Sequence, residues 1–177
     1  MNGHTALPEW DLLKAIELGN RDAFAVLYDR HASLLFGIGC TLLRDVSDAE
    51  DLVHDVFLGL PRALKTFEGR GPFEGWLKRT ATRTALMKLR QARTRRAALR
   101  RLALAAQRTV PPPAVEDRVD IEAALLRLRP GQRDVFILRI VQGFNTRETA
   151  DLLGVRIGTV RIRLLRARRA LRTMLME

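Results

Sequence analysis

Asn145-Thr146-Arg147-Glu148-Thr149-Ala150-Asp151-Leu152-Leu153-Gly154-Val155-Arg156-Ile157-Gly158-Thr159-Val160-Arg161-Ile162-Arg163-Leu164-Leu165-Arg166-Ala167-Arg168-Arg169-Ala170-Leu171-Arg172 reads as a short helix, a tight turn and a longer helix loaded with arginine. Thr146 suits the cap of the first helix, because its hydroxyl accepts a free N–H of the first turn. Ala150, Leu152 and Leu153 give that helix its apolar side. Gly154 suits the left-handed position that ends a helix, having no Cβ to clash. Val160, Leu164, Ala167 and Leu171 then recur every three or four residues, one face of a second helix. Arg161, Arg166, Arg168, Arg169 and Arg172 fall off that stripe. The layout is that of a helix-turn-helix whose second helix enters the major groove. A basic amphipathic helix lying on a membrane or a protein is the competing reading, but it needs neither the capped helix nor the glycine turn ahead of it.

Charge along the rest of the chain supports a polyanionic partner. The 177 residues carry a formal net charge of +11, with a sequence pI of about 11.3, and such a balance points to nucleic acid. The charge is unevenly spread. Residues 1–59 hold four basic and ten acidic side chains, residues 60–118 hold 15 and four, and residues 119–177 hold 12 and six. An acidic head on a basic body implies two partners, a protein surface for the head and nucleic acid for the rest. Only Lys14, Lys65, Lys78 and Lys88 are lysines. Arginine makes bidentate contacts to phosphate and guanine, although a GC-rich genome gives the same bias. Cys40, the single cysteine, lies in an apolar run and reads as a buried inert thiol. No apolar stretch has the length of a membrane span, and the N-terminus lacks the order of a signal peptide. A soluble cytoplasmic protein without membrane insertion is expected.

Helical periodicity continues upstream and defines an all-α fold. Residues 10–18 form one amphipathic helix, with Leu12, Leu13 and Ile16 inward. Asn20 caps a second, carrying Phe24, Leu27, Tyr28, Leu34, Leu35 and Ile38. Ser47-Asp48-Ala49-Glu50 fits a capping box and opens a helix with Ala49, Leu52, Val53, Val56, Phe57 and Leu60 inward. A glycine-bearing loop spans residues 66–72, and a helix follows from 73 to about 90. Pro111-Pro112-Pro113 cannot sit inside a helix and favours an extended spacer. The organisation expected is two small helical domains, residues 1–92 and 119–177, joined by a flexible linker over 93–118. Helices resume over 121–128 and 131–142 before the helix-turn-helix.

Two further constellations carry chemistry. In the third helix the inward stripe leaves Asp48, Glu50, Asp51, His54 and Asp55 outside. Asp51 and His54 share the i, i+3 spacing of metal ligands, but no second cluster completes a site, and an acidic solvated face is the simpler reading. Around the glycine loop, Phe67, Phe73 and Trp76 interleave with Arg70, Lys78, Arg79 and Arg83. Aromatics among arginines hold unstacked bases. Phe73 and Trp76 also read as core, and for Trp76 that reading leads. His4, His31 and His54 are scattered, no nucleophile and base pair up, and neither catalysis, a cofactor nor a metal is expected.

Together these segments resemble the extracytoplasmic-function (ECF) group of bacterial sigma factors, over residues 10–171. The resemblance rests on Asp22-Ala23-Phe24 with Leu27-Tyr28; on Asp48-Ala49-Glu50-Asp51-Leu52-Val53-His54-Asp55-Val56-Phe57; on Gly71-Pro72-Phe73-Glu74-Gly75-Trp76-Leu77; on Gln132-Arg133 with Phe136 and Leu138; and on Val155-Arg156-Ile157-Gly158-Thr159-Val160-Arg161 with Arg166-Ala167-Arg168. It implies that the first domain binds the clamp helices of core RNA polymerase through Asp48, Glu50, Asp51, His54 and Asp55. It further implies that Phe67, Arg70, Phe73, Lys78, Arg79 and Arg83 capture and melt a promoter −10 element. The second domain would hold the −35 element and dock on the polymerase flap. There Arg161 and Arg166 would meet guanine or phosphate, Arg156 and Thr159 the backbone, and Ile162 and Leu165 a thymine methyl. An anti-sigma factor is a further partner that the resemblance implies. A free-standing helix-turn-helix regulator is the main rival, and a metal-dependent hydrolase a more distant one.

Overall fold

The computed structural model describes residues 8–69, 71–105 and 121–176. Among them the regular structure is helical throughout: α1 Glu9–Glu17, α2 Arg21–Leu43, α3 Val46–Leu64, α4 Phe73–Ala105, α5 Ile121–Arg127, α6 Pro130–Phe136, α7 Thr146–Leu153 and α8 Ile157–Met176. The all-α class expected from periodicity is the class observed. The chain divides into two compact units, Met1–Lys88 and Leu89–Glu177.

In the first unit, helix ends follow local chemistry. Asn20 caps α2, its side-chain oxygen accepting from the Ala23 N–H at 3.0 Å. α2 ends at Arg44, which adopts the left-handed conformation (φ 65°, ψ 24°), and Asp45 immediately caps α3 by accepting from the Asp48 N–H at 2.9 Å. The cap is therefore Asp45 and not Ser47. The two-residue connection starts α3 at Val46, so Ser47 already lies within its first turn, and Asp45 adds an acidic side chain at the positive end of the helix. Leu12, Leu13 and Ile16 from α1, Leu27, Leu35 and Ile38 from α2, Leu52, Val56, Phe57 and Leu60 from α3, and Phe73, Leu77 and Ala81 from α4 are buried. Tyr28, assigned inward by periodicity, is 40% exposed and lies over the rim of Phe57, ring centroids 4.7 Å apart. Cys40 is half-buried. Gly39 sets the closeness of α2 and α3: a Cβ there would lie 2.8 Å from both the Cα and the Cβ of Ala49.

α4 runs well beyond residue 90, to Ala105. Residues 91–105 contain no glycine or proline and are rich in alanine, leucine and arginine, all strong helix formers. The first part of the expected linker is thus helical. The proline run that suggested an extended spacer, Pro111 to Pro113, lies outside the described residues, as does Arg70.

The second unit includes the C-terminal turns of α4. There Arg93 grips the buried carboxylate of Asp134 on α6 with both guanidinium nitrogens, at 3.1 Å each, a bidentate geometry that a lysine cannot reproduce. Arg90 donates to the Leu152 and Leu153 carbonyls at the end of α7, where helix carbonyls lack internal partners. α6 continues as a wide π turn over Ile137–Val141, and Arg139 donates to the Phe144 carbonyl, closing the loop ahead of α7. α7 is capped by Asn145 and not by Thr146. Asn145 accepts from the Glu148 N–H at 2.9 Å while Glu148 accepts from the Asn145 N–H at 2.8 Å. Each residue satisfies the other's free donor in this capping box, and Thr146, one place too late, becomes the first helical residue.

Candidate nucleic-acid and protein-docking sites

The turn between α7 and α8 is built as its sequence requires. Gly154 has φ 65° and ψ 40°, and the Val155 N–H reaches the Ala150 carbonyl at 3.0 Å, the wide bond of a glycine-terminated helix. The apolar stripe of α8 is shared between two clusters. Val160 packs with Val135 and Ala150, flanked by Leu153, Val155 and Leu164. Ala167 and Leu171 pack with Ala124 and Leu128, flanked by Leu125, Phe136, Ala170 and Met174.

With that stripe buried, α8 presents Arg161, Ile162, Leu165 and Arg166 to solvent, Leu165 at 64% exposure. Arg156 is exposed in the turn and Thr159 is half-buried in the first helical turn. Ile162 and Leu165 are large apolar side chains without cover, at the end of the helix that meets base edges in this motif. Arg161 stands beside Ile162. Arg166 is one helical turn further on and lines a cavity with Arg127, Arg129 and Gln132 over Leu128, Ala170 and Met174. Arg163 turns back onto α6, its guanidinium 3.1 Å from where a Cβ on Gly131 would stand. Nothing local in the sequence signals this contact, since Gly131 and Arg163 are distant in the chain.

The glycine loop and the start of α4 build an aromatic cluster in the first unit. Phe67 meets Phe73 edge-on at 5.6 Å and Trp76 at 5.3 Å, and Phe73 stacks on Trp76 at 5.6 Å. Phe73 is 3% exposed, so it belongs to the core and offers no face to a base; it supports the other two rings from beneath. Trp76, read from sequence as core, instead lines an open cavity of about 190 Å³ with Thr66, Phe67, Glu68, Pro72, Gly75 and Arg79. Lys78 is half-buried on α4, and Arg83 is exposed one turn beyond Arg79. Thr66, Glu68 and Gly75 were not legible as cavity residues, because the loop's return over α4 is a tertiary event.

On α3, Asp48, Glu50, Asp51, His54 and Asp55 are all exposed, as the helical stripe requires. Asp55 is engaged by Lys88 at 2.6 Å. Glu50 borders a shallow groove with Tyr28, Ala32, Ser33, Phe36 and Val53. Leu58, 66% exposed, lies seven residues after Asp51 and hence on the same face. A single exposed leucine is ordinary on a protein surface, so the acidic side chains are what distinguish this face. Among the described residues no three His, Cys, Asp or Glu side chains gather as a metal site, and no helix is long and apolar enough to cross a membrane.

The features define a class first: an all-helical protein with an exposed acidic helix in one unit and a helix-turn-helix with a basic second helix in the other. Comparison with known proteins makes the class specific. Residues 27–103 match the Sigma-70 region 2 family and residues 118–171 the Sigma-70 region 4 family. The ECF RNA polymerase sigma factor SigM of Mycobacterium tuberculosis is 33% identical, over 93% of this chain and 83% of its own. SigW of Bacillus subtilis is 25% identical over 93% and 95%. The solved structure of CnrH in complex with the cytosolic domain of CnrY superposes with a TM-score of 0.58 at 31% identity, over 93% of this chain and 94% of that one. The sigma factor RpoE of Bartonella quintana, solved with the anti-sigma factor NepR, shares the fold at a TM-score of 0.57 and 24% identity, over 82% and 91%. The chain belongs to the ECF sigma factors of RNA polymerase, the transcription initiation factors that bind the polymerase and direct it to specific promoters.

Proposed function

We propose that residues 1–92 form the core-binding and −10 domain, residues 119–177 the −35 domain, and residues 93–118 the connection between them. The exposed face of Asp48, Glu50, Asp51, His54 and Asp55, extended by Leu58, docks on the clamp helices of core polymerase. The cavity walled by Phe67, Trp76 and Arg79 receives one unstacked base of the −10 element, with Lys78 and Arg83 on its phosphates. Extruding a base costs a few kcal/mol, and aromatic stacking returns about 1–3 kcal/mol per base, so a single well-formed cavity offsets most of that cost. Phase separation of the roles follows from charge: the acidic helix avoids DNA and the basic helices seek it.

In the second domain, Arg161, Ile162 and Leu165 face base edges while Arg156 and Thr159 meet the phosphates. Arg166 reaches the edge of the same interface from its cavity with Arg127 and Arg129. The polymerase flap is the protein partner of this domain. The chain itself performs no catalysis; bond formation belongs to the polymerase, in the cytoplasm. A protein inhibitor of the anti-sigma type is a further partner, supported by the likeness to CnrH, which is itself solved with the domain of a second protein.

One observation carries this reading. A single unit holds both an open cavity lined by Phe67, Trp76 and Arg79 and a separate acidic helix, and a regulator that binds duplex DNA unaided needs neither. In vitro transcription with purified core polymerase tests it: specific starts appear only when the chain is added. In the same assay Arg161→Ala should cost about 1–3 kcal/mol of promoter binding and relax preference at one −35 position. An equal loss on all sequences would make Arg161 a phosphate contact, and absence of specific starts with the unaltered chain would refute the assignment of these sites.

A further inference from the structure

Helix α1 lies outside residues 27–103, the segment that matches the region 2 family, yet its first turn reaches the aromatic cluster at two points. Glu9 accepts a hydrogen bond from His31 Nε2 at 2.7 Å. His31 is 6% exposed and sets its ring edge-on to Phe73 at 5.7 Å. Phe73 in turn stacks on Trp76 and meets Phe67. The neighbouring residue, Trp10, takes the other side. Its ring is 6.4 Å from that of Phe67 and lies beneath the loop backbone, 3.6 Å from where a Cβ on Gly69 would stand. Gly69 itself is left-handed, with φ 68°.

α1 is seated through Leu12, Leu13 and Ile16, with Glu9 at the head of the same stripe, where its carboxylate satisfies the buried imidazole. Trp10 remains half-exposed, flanked by Lys14 with its Nζ 5.6 Å from the ring centre, and lies against the loop at Gly69. Trp10 meets Phe67, a wall of the cavity, and the Glu9–His31 pair meets Phe73, the buried ring beneath those walls.

We infer that the first turn of α1 is a brace that holds the cavity in its base-receiving shape, with Trp10 as the positioning residue for Phe67 and the loop, and the Glu9–His31 pair as that for Phe73. The inference rests on the reading of the cavity as a site for one unstacked −10 base. It adds that selectivity of that site depends on a segment ahead of the family-matched region. The brace acts before DNA arrives, since a wall that must first be ordered loses binding energy to that ordering.

The test uses the full chain assembled with core polymerase. Holoenzyme selects preferred sequences from a pool of random single-stranded DNA, and preferred and disfavoured strands are then bound by each variant. Trp10→Ala should reduce the ratio of preferred to disfavoured binding about tenfold, the scale of one lost stacking contact, with affinity for core and cooperative thermal unfolding retained. Trp10→Phe should restore most of the ratio. Phe67→Ala, which removes the wall itself, should abolish it. If Phe67→Ala abolishes the ratio and Trp10→Ala leaves it unchanged, the brace is refuted and the cavity reading stands. If Phe67→Ala also leaves it unchanged, the cavity reading fails and the brace fails with it. A second measurement covers a Trp10→Ala chain that does not fold. Trp10→Leu keeps an apolar side chain without the indole and is bound to the same two strands: a reduced ratio supports the brace, and a ratio equal to that of the unaltered chain overturns it.

Discussion

A chain carrying Asp51→Arg together with Asp55→Arg should bind core polymerase on the order of a hundredfold more weakly, because placing like charges against a partner surface costs several kcal/mol. The fold should survive. Asp51 is exposed, and the Asp55–Lys88 pair is half-exposed, so its loss removes at most about 1 kcal/mol. The measurement is a titration of labelled chain with core, at two salt concentrations, beside a thermal melt. The deficit should shrink at high salt, since exposed charges are screened. Unchanged affinity with an unchanged melt would remove α3 from the polymerase interface. A parallel Leu58→Ala chain separates the parts of the face: it should weaken binding with little dependence on salt.

Gly39→Ala should destabilise the first unit by about 1–3 kcal/mol, the ordinary cost of forcing atoms into a packed interface. The new Cβ would meet the Cα and Cβ of Ala49 at 2.8 Å and a Leu52 methyl at 3.3 Å. A backbone atom cannot swing aside as a long side chain does, so α2 and α3 must separate. For a unit of this size each kcal/mol lowers the melting temperature by roughly 4–8 °C. Ala49→Gly in the same chain removes one of the two clashing atoms, and a double-mutant cycle should show coupling between the positions. The second unit's melting should be unaffected. A melt identical to that of the unaltered chain would mean that the helices are not in contact at this crossing.

The helices of this protein were legible because their stripes are. Val160, Leu164, Ala167 and Leu171 define the inner face of α8 by spacing alone, and the five polar positions of α3 fall outside for the same reason. Capping was harder. Ser47 and Thr146 are each good caps in isolation, yet Asp45 and Asn145 take the role, because where the preceding helix or loop ends decides which residue stands at the boundary. Burial at the aromatic loop was harder still. Phe73 and Trp76 are three residues apart at the start of one helix, and nothing local states that the loop folds over Trp76 and leaves Phe73 beneath it. The contribution of α1 was invisible for a related reason: Glu9 and His31 are 22 residues apart, and a lone histidine among scattered ones carries no signal of its partner. The length of α4 was misjudged in the opposite direction, since a distant proline run was allowed to end a helix whose own residues favour continuation.

The division of the α8 stripe between two clusters separates tuning from wiring. The half near Val160 holds the end that carries Arg161 and Ile162, and the half near Ala167 and Leu171 is fastened to Ala124 of α5 and Leu128. Substitutions at Ala124, Leu128 or Leu171 act first on how the C-terminal half of α8 is mounted, and those at Val135 or Ala150 on the end that carries Arg161 and Ile162.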